Sequence, residues 1–130
     1  ICYTLTTPHT GMLRYCNAGH PPPLLLRAGG TVERLEKGGT VIGMGSSVDF
    51  VEGGTRLESG DRIFLYTDGI TEHNNADREV YGETRFLEQL QKQSGEDLDS
   101  AIQNTLIAMR QFGGSSLPAD DVTLIGIEFA

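Results

Sequence analysis

The chain is 130 residues long, room for one hydrophobic core but not two. Acidic residues outnumber basic ones 18 to 10, and the resulting net charge of −8 argues against binding to a nucleic-acid backbone. At 38% hydrophobic the composition is not that of a disordered tail, and the densest apolar run, Ile63-Phe64-Leu65-Tyr66, falls far short of the roughly 20 residues of a membrane helix.

Residues 2–7 and 12–17 are rich in β-favouring types and flank the turn signal Pro8-His9-Thr10-Gly11, so they predict a hairpin. Parity suggests a register. Pairing Leu5 with Leu13 and Tyr3 with Tyr15 puts all four on one face and sets Cys2 opposite Cys16. Two cysteines are too few for a disulfide scaffold, and they read as small, reduced core residues. The start carries neither a basic region nor a long apolar one, so no signal peptide is expected and the default compartment is cytoplasmic. It also opens without Met, in what reads as a strand, so the chain is read as a piece of a longer protein.

The run Asn17-Ala18-Gly19-His20-Pro21-Pro22-Pro23 reads as a tight turn. Residues 24–28 and 32–36 form a second hairpin around Gly29-Gly30. Residues 38–45 are glycine-rich and read as a loop. Residues 50–57 and 61–67 are two more strands around Ser59-Gly60. The latter is apolar on both faces, which predicts a central strand buried on two sides and ending at Asp68-Gly69. Residues 71–82 are polar and turn-like.

Residues 83–91 predict a short helix with Phe86, Leu87 and Leu90 inward. Ser94, with Asp97 three residues on, resembles a capping box. The helix it opens, over 96–112, carries Leu98, Ala101, Ile102, Thr105, Met109 and Phe112 on one stripe. Gly113-Gly114 ends it. A last strand covers 122–129.

Three carboxylates stand out. Asp68 sits where a buried strand stops, and Asp120 and Asp121 where another apolar strand begins. If these strands are antiparallel neighbours, the three meet at one sheet edge with no local Lys or Arg to neutralise them. Such a cluster either holds raised pKa values or binds a hard cation. Oxygen donors without His or Cys suit Mg²⁺ or Mn²⁺. The plainer alternative is that Asp68 caps a turn and Asp120 or Asp121 a strand end. Other groups are weaker. Gly43-Met44-Gly45-Ser46-Ser47 is neither a nucleophile elbow nor a dinucleotide fingerprint, and its serines read as loop. His9 and His73 read as solvated. His20 reads as a turn histidine bonded to nearby backbone.

These segments carry a family likeness. Asn17-Ala18-Gly19-His20-Pro21-Pro22-Pro23-Leu24-Leu25 resembles a signature of SpoIIE-like phosphatases, the bacterial branch of the metal-dependent protein phosphatase 2C superfamily. Gly60-Asp61, Leu65-Tyr66-Thr67-Asp68-Gly69-Ile70-Thr71-Glu72, Tyr81-Gly82 and Asp120-Asp121-Val122-Thr123-Leu124 resemble its further motifs, in order. The resemblance implies an α+β fold, an αββα sandwich of two antiparallel sheets with helices outside. It implies two Mn²⁺ or Mg²⁺ ions whose bridging water attacks phosphoserine or phosphothreonine with no covalent intermediate, so no catalytic residue is expected beyond the metal ligands. It makes Asp68 and Asp120 metal ligands, with Gly69 and Asp121 beside them. The family's first motif, roughly Gly-Asp-Val-x-Gly-His-Gly, is absent. Residues 1–130 are therefore expected to be the C-terminal portion of a single phosphatase domain, without its N-terminal strands and one helical layer.

The resemblance implies a phosphoprotein substrate, a bacterial regulatory protein such as an anti-sigma-factor antagonist, and an N-terminal sensor or receiver domain in the parent. The isolated piece is expected to be nearly inactive, and its uncovered sheet makes a homodimer plausible. The competing reading is a phosphatase-like module that lost catalysis and docks a signalling partner. Retention of Asp68 and Asp120 favours the enzyme. A β-rich scaffold without a site is the third reading.

Overall fold

The computed structural model describes residues 1–43 and 49–130. The described elements are β1 (Cys2–Thr7), β2 (Met12–Ala18), β3 (Leu24–Leu26), β4 (Val32–Arg34), β5 (Gly38–Gly39), β6 (Gly53–Arg56), β7 (Arg62–Tyr66), α1 (Asp68–Thr71), α2 (Gly82–Lys92), α3 (Leu98–Gly113) and β8 (Leu124–Glu128). The serine-bearing loop read at 43–47 lies, but for Gly43, outside the described residues.

Two sheets form. In the first, β2 pairs with β1 along one edge and with β6 and β5 along the other; in the second the order is β4-β3-β7-β8. All pairings are antiparallel except the two residues of β5, which run parallel to the end of β2. The expected loop at 38–45 therefore contains a short strand. A Cβ at Gly38 would overlap the Asn17 backbone, so this approach requires glycine.

Alternation along β3 and β7 sorts their apolar residues into two cores. Leu24, Leu26, Phe64 and Tyr66 pack with Phe86, Leu90 and Met109 of α2 and α3, with Ile102 and Phe112 against this cluster. Leu25 and Ile63 point the other way and pack with Leu13 and Tyr15 of β2 and with Leu35 and Leu57. The second sheet is thus sandwiched between the first sheet and the helices, and β7 is the interior, two-sided strand its composition predicts. Of the four layers of an αββα sandwich, three are described. No described helix is long and apolar enough to cross a membrane.

The first hairpin differs from expectation by one residue. Thr7 pairs with Met12, Thr6 with Leu13 and Thr4 with Tyr15. Gly11 adopts φ +65° and donates its N–H to Thr7 O at 2.9 Å. That makes Gly11 a turn residue, whereas the expected register needs it in the strand. The shift exchanges the faces of β1. Leu13 and Tyr15 point into the core while Tyr3 and Leu5 lie on the outer surface, 53% and 44% exposed. Cys2 faces Asn17 and Cys16 faces Tyr3, so the cysteines are not opposite each other. Both are free and half-buried rather than core residues, and burial pushes the Cys2 thiol up.

Smaller differences follow from local bonding. The strand expected over 50–57 is ordered as strand only in β6. The helix expected from 96 begins at Leu98, with Asp97 rather than Ser94 at its N-cap and the Asp97 side chain accepting from Ser100 N. Ser94 N and Glu96 N donate instead to Gln91 O and Gln93 O, in the turn that leaves α2. After β7 the chain forms the one-turn helix α1 where only a strand end and a polar turn were expected.

Candidate metal-binding site

Antiparallel pairing of β7 with β8 sets Tyr66 beside Leu124. The residues just past the end of β7 therefore meet those just before β8. Thr67 clamps the two segments together. Its N–H donates to Thr123 O at 3.1 Å, its hydroxyl donates to Asp121 O at 2.7 Å, and Thr123 N donates back to that hydroxyl at 2.9 Å. Threonine serves here because one small side chain both donates and accepts.

Asp68 is the first residue of α1. The helical turn is closed by Glu72 N donating to Asp68 O at 2.7 Å and is anchored by the fully buried Ile70. Gly69 packs its Cα onto the other segment. A Cβ there would overlap Asp121 O and lie 3.1 Å from Asp120 O. Tyr66, just before the clamp, is buried; that burial and the nearby Glu83 carboxylate push its phenol up to about 12. It is thus a neutral hydroxyl at physiological pH.

The fold therefore brings the backbones of Asp68, Gly69, Asp120 and Asp121 to one sheet edge. All three aspartates are exposed. Asp120 uses one oxygen locally, accepting from Asp121 N at 2.7 Å. Among the described residues no group of three or more His, Cys, Asp or Glu is gathered closely enough to hold a metal ion. The expected convergence of three carboxylates is not present as such. What the edge offers is an open, oxygen-only set, chemically suited to Mg²⁺ or Mn²⁺ and incomplete on its own. Asp68 and Asp120, the residues expected to hold the ion, lie at this edge, and Gly69 allows their segments to approach.

The family model for Stage II sporulation protein E (SpoIIE) matches residues 1–130. The chain belongs to the SpoIIE family. It is 30% identical over 114 residues to the phosphoserine phosphatase RsbU of Bacillus subtilis (strain 168), covering 85% of this chain and 33% of RsbU. It is 29% identical over 119 residues to protein IcfG of Synechocystis sp. (strain ATCC 27184 / PCC 6803 / Kazusa), covering 90% of this chain and 18% of IcfG. Among solved structures it is similar to the RsbU and RsbW domains of Rv1364c from Mycobacterium tuberculosis. The TM-score is 0.81 at 30% identity, over 98% of this chain and 35% of that one. The chain thus spans about a third or less of the curated relatives it matches.

In this SpoIIE-family chain the Asn17–Pro23 signature is a joint between the sheets. The buried Asn17 side chain donates to His20 O at 2.7 Å and accepts from His20 N at 2.9 Å. The His20 ring bonds Pro21 O, the backbone partner expected of a turn histidine. Pro23 O accepts from Leu35 N. The signature thus carries the chain from β2 in one sheet to β3 in the other.

Two residues had no clear local signal. His73 is buried, not solvated, whereas His9 is exposed as expected. Asp61, at the opposite end of β7 from Asp68, is a buried hub. It accepts from Arg27 Nη1 at 2.8 Å and from Ala28 N and Glu58 N at 3.0 Å each. A polar cavity of about 430 Å³ opens beside it, lined by Arg27, Thr55, Arg56 and Glu58 among others. Every side-chain nitrogen of Arg27 is already engaged by Glu33, Arg56 O, Asp61 or Thr55. This end of the strand serves the fold. Only the Gly60-Asp61 motif, noted for its family likeness, pointed to it.

Proposed function

We propose that the chain is the C-terminal portion of a metal-dependent protein serine/threonine phosphatase domain, acting on phosphoserine or phosphothreonine of a bacterial regulatory protein such as an anti-sigma-factor antagonist. The observation that carries this reading is the approach of the Asp68 segment to the Asp120–Asp121 segment, which only glycine at position 69 permits. The phosphoserine phosphatase activity in the name of the Bacillus subtilis relative supports the substrate class.

Asp68 and Asp120 would hold Mn²⁺ or Mg²⁺ through carboxylate oxygens. When bound, such ions lower the pKa of a coordinated water and offset charge on the transferring phosphoryl group. The chain's own contribution is orientation. Thr67 fixes the end of β7 to the start of β8, Ile70 roots the turn that presents Asp68, and Gly69 admits the neighbouring backbone. Exposure of all three aspartates leaves the edge open to a protein-borne phosphate. A second aspartate-bearing motif elsewhere in the parent would complete a two-ion site. The parent is also expected to carry an N-terminal sensor or receiver domain and to act in the cytoplasm, in keeping with the small share of its relatives that this chain spans.

The rival reading is a docking module without catalysis. Retention of both aspartates beside Gly69 favours the enzyme, because a decayed site is free to lose them. The test is hydrolysis of p-nitrophenyl phosphate and of a phosphoserine protein by the parent's complete domain, with Mn²⁺ titrated, for wild type and Asp68→Asn. The substitution removes charge at nearly constant volume. Turnover should fall by orders of magnitude with folding retained. Unchanged turnover would refute the ligand role of Asp68, and a wild-type domain inert at every Mn²⁺ concentration would favour the docking module.

A further inference from the structure

The segment between α1 and α2 buries a histidine for which the proposed chemistry has no use. His73 is 2% exposed, between exposed Glu72 and Asn74. Its backbone is held in place: Tyr81 N donates to His73 O at 2.7 Å, and Asn74 bridges to Val80. Its ring lies on the last residue of α3, where a Cβ at Gly113 would overlap Nε2. Gly113 is buried, and Gly114 turns the chain away with φ +61°. Nδ1 is buried without a hydrogen-bond partner. The ring is therefore not held by polar bonding at that nitrogen, and what fixes it is contact with the end of α3.

The place of this contact in the topology gives it meaning. His73 lies two residues past the end of α1, whose first residue is Asp68. Gly113 ends the helix whose outgoing loop leads to Asp120. Thr67 and Gly69 join the Asp68 turn to Asp121 and Thr123, and His73 on Gly113 joins it to the end of α3, from which residues 114–119 run on to Asp120. A turn as short as α1 has little rigidity of its own. Contacts on either side of Asp68 hold its turn in place.

We propose that His73 is a positioning residue: its ring, seated on Gly113, sets the placement of the Asp68 turn relative to the segment bearing Asp120, and so tunes the affinity of that pair for a divalent cation. The inference rests on the reading of Asp68 and Asp120 as ligands. Supporting groups that orient metal ligands typically change affinity by about 10- to 100-fold when removed. Two substitutions probe the contact from its two sides. His73→Ala empties the seat. Gly113→Ala keeps the histidine and drives a methyl into its ring.

The experiment is Mn²⁺ titration by calorimetry on the full-length parent, alongside thermal unfolding. The variants are His73→Ala, Gly113→Ala, Asp68→Asn, Asp120→Asn and a destabilised control, Leu90→Ala, in the core face of α2. His73→Ala and Gly113→Ala should each weaken Mn²⁺ binding about tenfold or more, with Leu90→Ala changing it by less than about twofold despite a comparable fall in unfolding midpoint. In the metal-free protein, amide exchange at Ile70 and Glu72 should speed up in His73→Ala and Gly113→Ala but not in Leu90→Ala. Wild-type Mn²⁺ affinity in the two contact variants, with loss in Asp68→Asn, overturns the positioning role and leaves the ligand reading intact. Wild-type affinity in both aspartate variants overturns the ligand reading and this inference together. Equal weakening in Leu90→Ala shows general loosening and also overturns it. Should His73→Ala fail to fold, Gly113→Ala decides alone.

Discussion

Gly69 and Asp61 show how single residues divide the work of this chain between its two ends of β7. At Gly69 the missing side chain lets two segments meet, since the backbone carbonyls of Asp120 and Asp121 crowd the space a Cβ needs. Gly69→Ala should push the two segments apart. In the complete domain it should weaken Mn²⁺ binding by about tenfold or more, as loss of a ligand's supporting contacts does, while the fold survives; titration calorimetry and circular dichroism check both halves. Asp61 acts on stability. Burial pushes its carboxyl up, but the N–H groups of Glu58 and Ala28 and the Arg27 guanidinium outweigh that and hold it below the usual carboxylate range. A carboxyl with a native pKa below its unfolded value stabilises fully above the unfolded value, about 3.9, and loses that contribution as pH falls through the native one. Asp61→Ala should destabilise by about 1–3 kcal/mol at neutral pH, because it leaves the N–H groups of Ala28 and Glu58 without their acceptor. In urea melts at falling pH, wild type should lose stability below about pH 4 more steeply than the variant. Parallel pH profiles would rule out this account.

At the level of elements, local chemistry decides ends and turns. Ser94 and Asp97 are both good capping residues, and sequence patterning alone favoured the first. The structure uses the second, because residues 93–96 are spent in the hydrogen-bonded turn leaving α2. Asp97→Ala should therefore lower the thermal midpoint and Ser94→Ala should leave it unchanged; the reverse result would restore Ser94 as the cap. The Asn17–Pro23 signature works in the same way. Its asparagine closes a turn on His20 backbone, and its prolines take the chain out of one sheet into the other. It sets where β3, and hence β7, lies.

For the whole molecule, three layers explain both what the chain holds and what it lacks. The helices cover one face of the second sheet and the first sheet covers the other. The outer face of the first sheet leaves Tyr3, Leu5 and Met12 exposed. The edge proposed to bind a cation carries Asp68 and Asp120, and among the described residues no group of three or more His, Cys, Asp or Glu is gathered there. A partial oxygen site leaves Mg²⁺ mostly hydrated and weakly bound. The isolated 130-residue chain should then be nearly inactive on p-nitrophenyl phosphate at any Mn²⁺ concentration, and the parent's complete domain active. Robust Mn²⁺-dependent turnover by the chain alone would show that the missing motif is not needed.

Most of the elements and their character were legible in the sequence, the one-turn helix α1 and the two-residue strand β5 excepted. The two-sided apolar run Ile63-Phe64-Leu65-Tyr66 read as an interior strand, the 3–4 spacing from Leu98 to Phe112 read as a buried helix stripe, and the order of motifs from Asn17 to Leu124 carried the family likeness. These signals are local, and local sterics and burial periodicity produce them. Three things needed the tertiary structure. The hairpin register depended on whether Gly11 sat in the turn or the strand, a one-residue choice that reverses every side chain of β1. The burial of His73 depended on a helix end forty residues away that happens to be glycine. The approach of the Asp68 segment to the Asp120–Asp121 segment depended on β7 and β8 being antiparallel neighbours, and nothing in the spacing of 52 residues between Asp68 and Asp120 encodes that. Contacts between distant segments are set by how layers pack, and packing is a property of the folded whole.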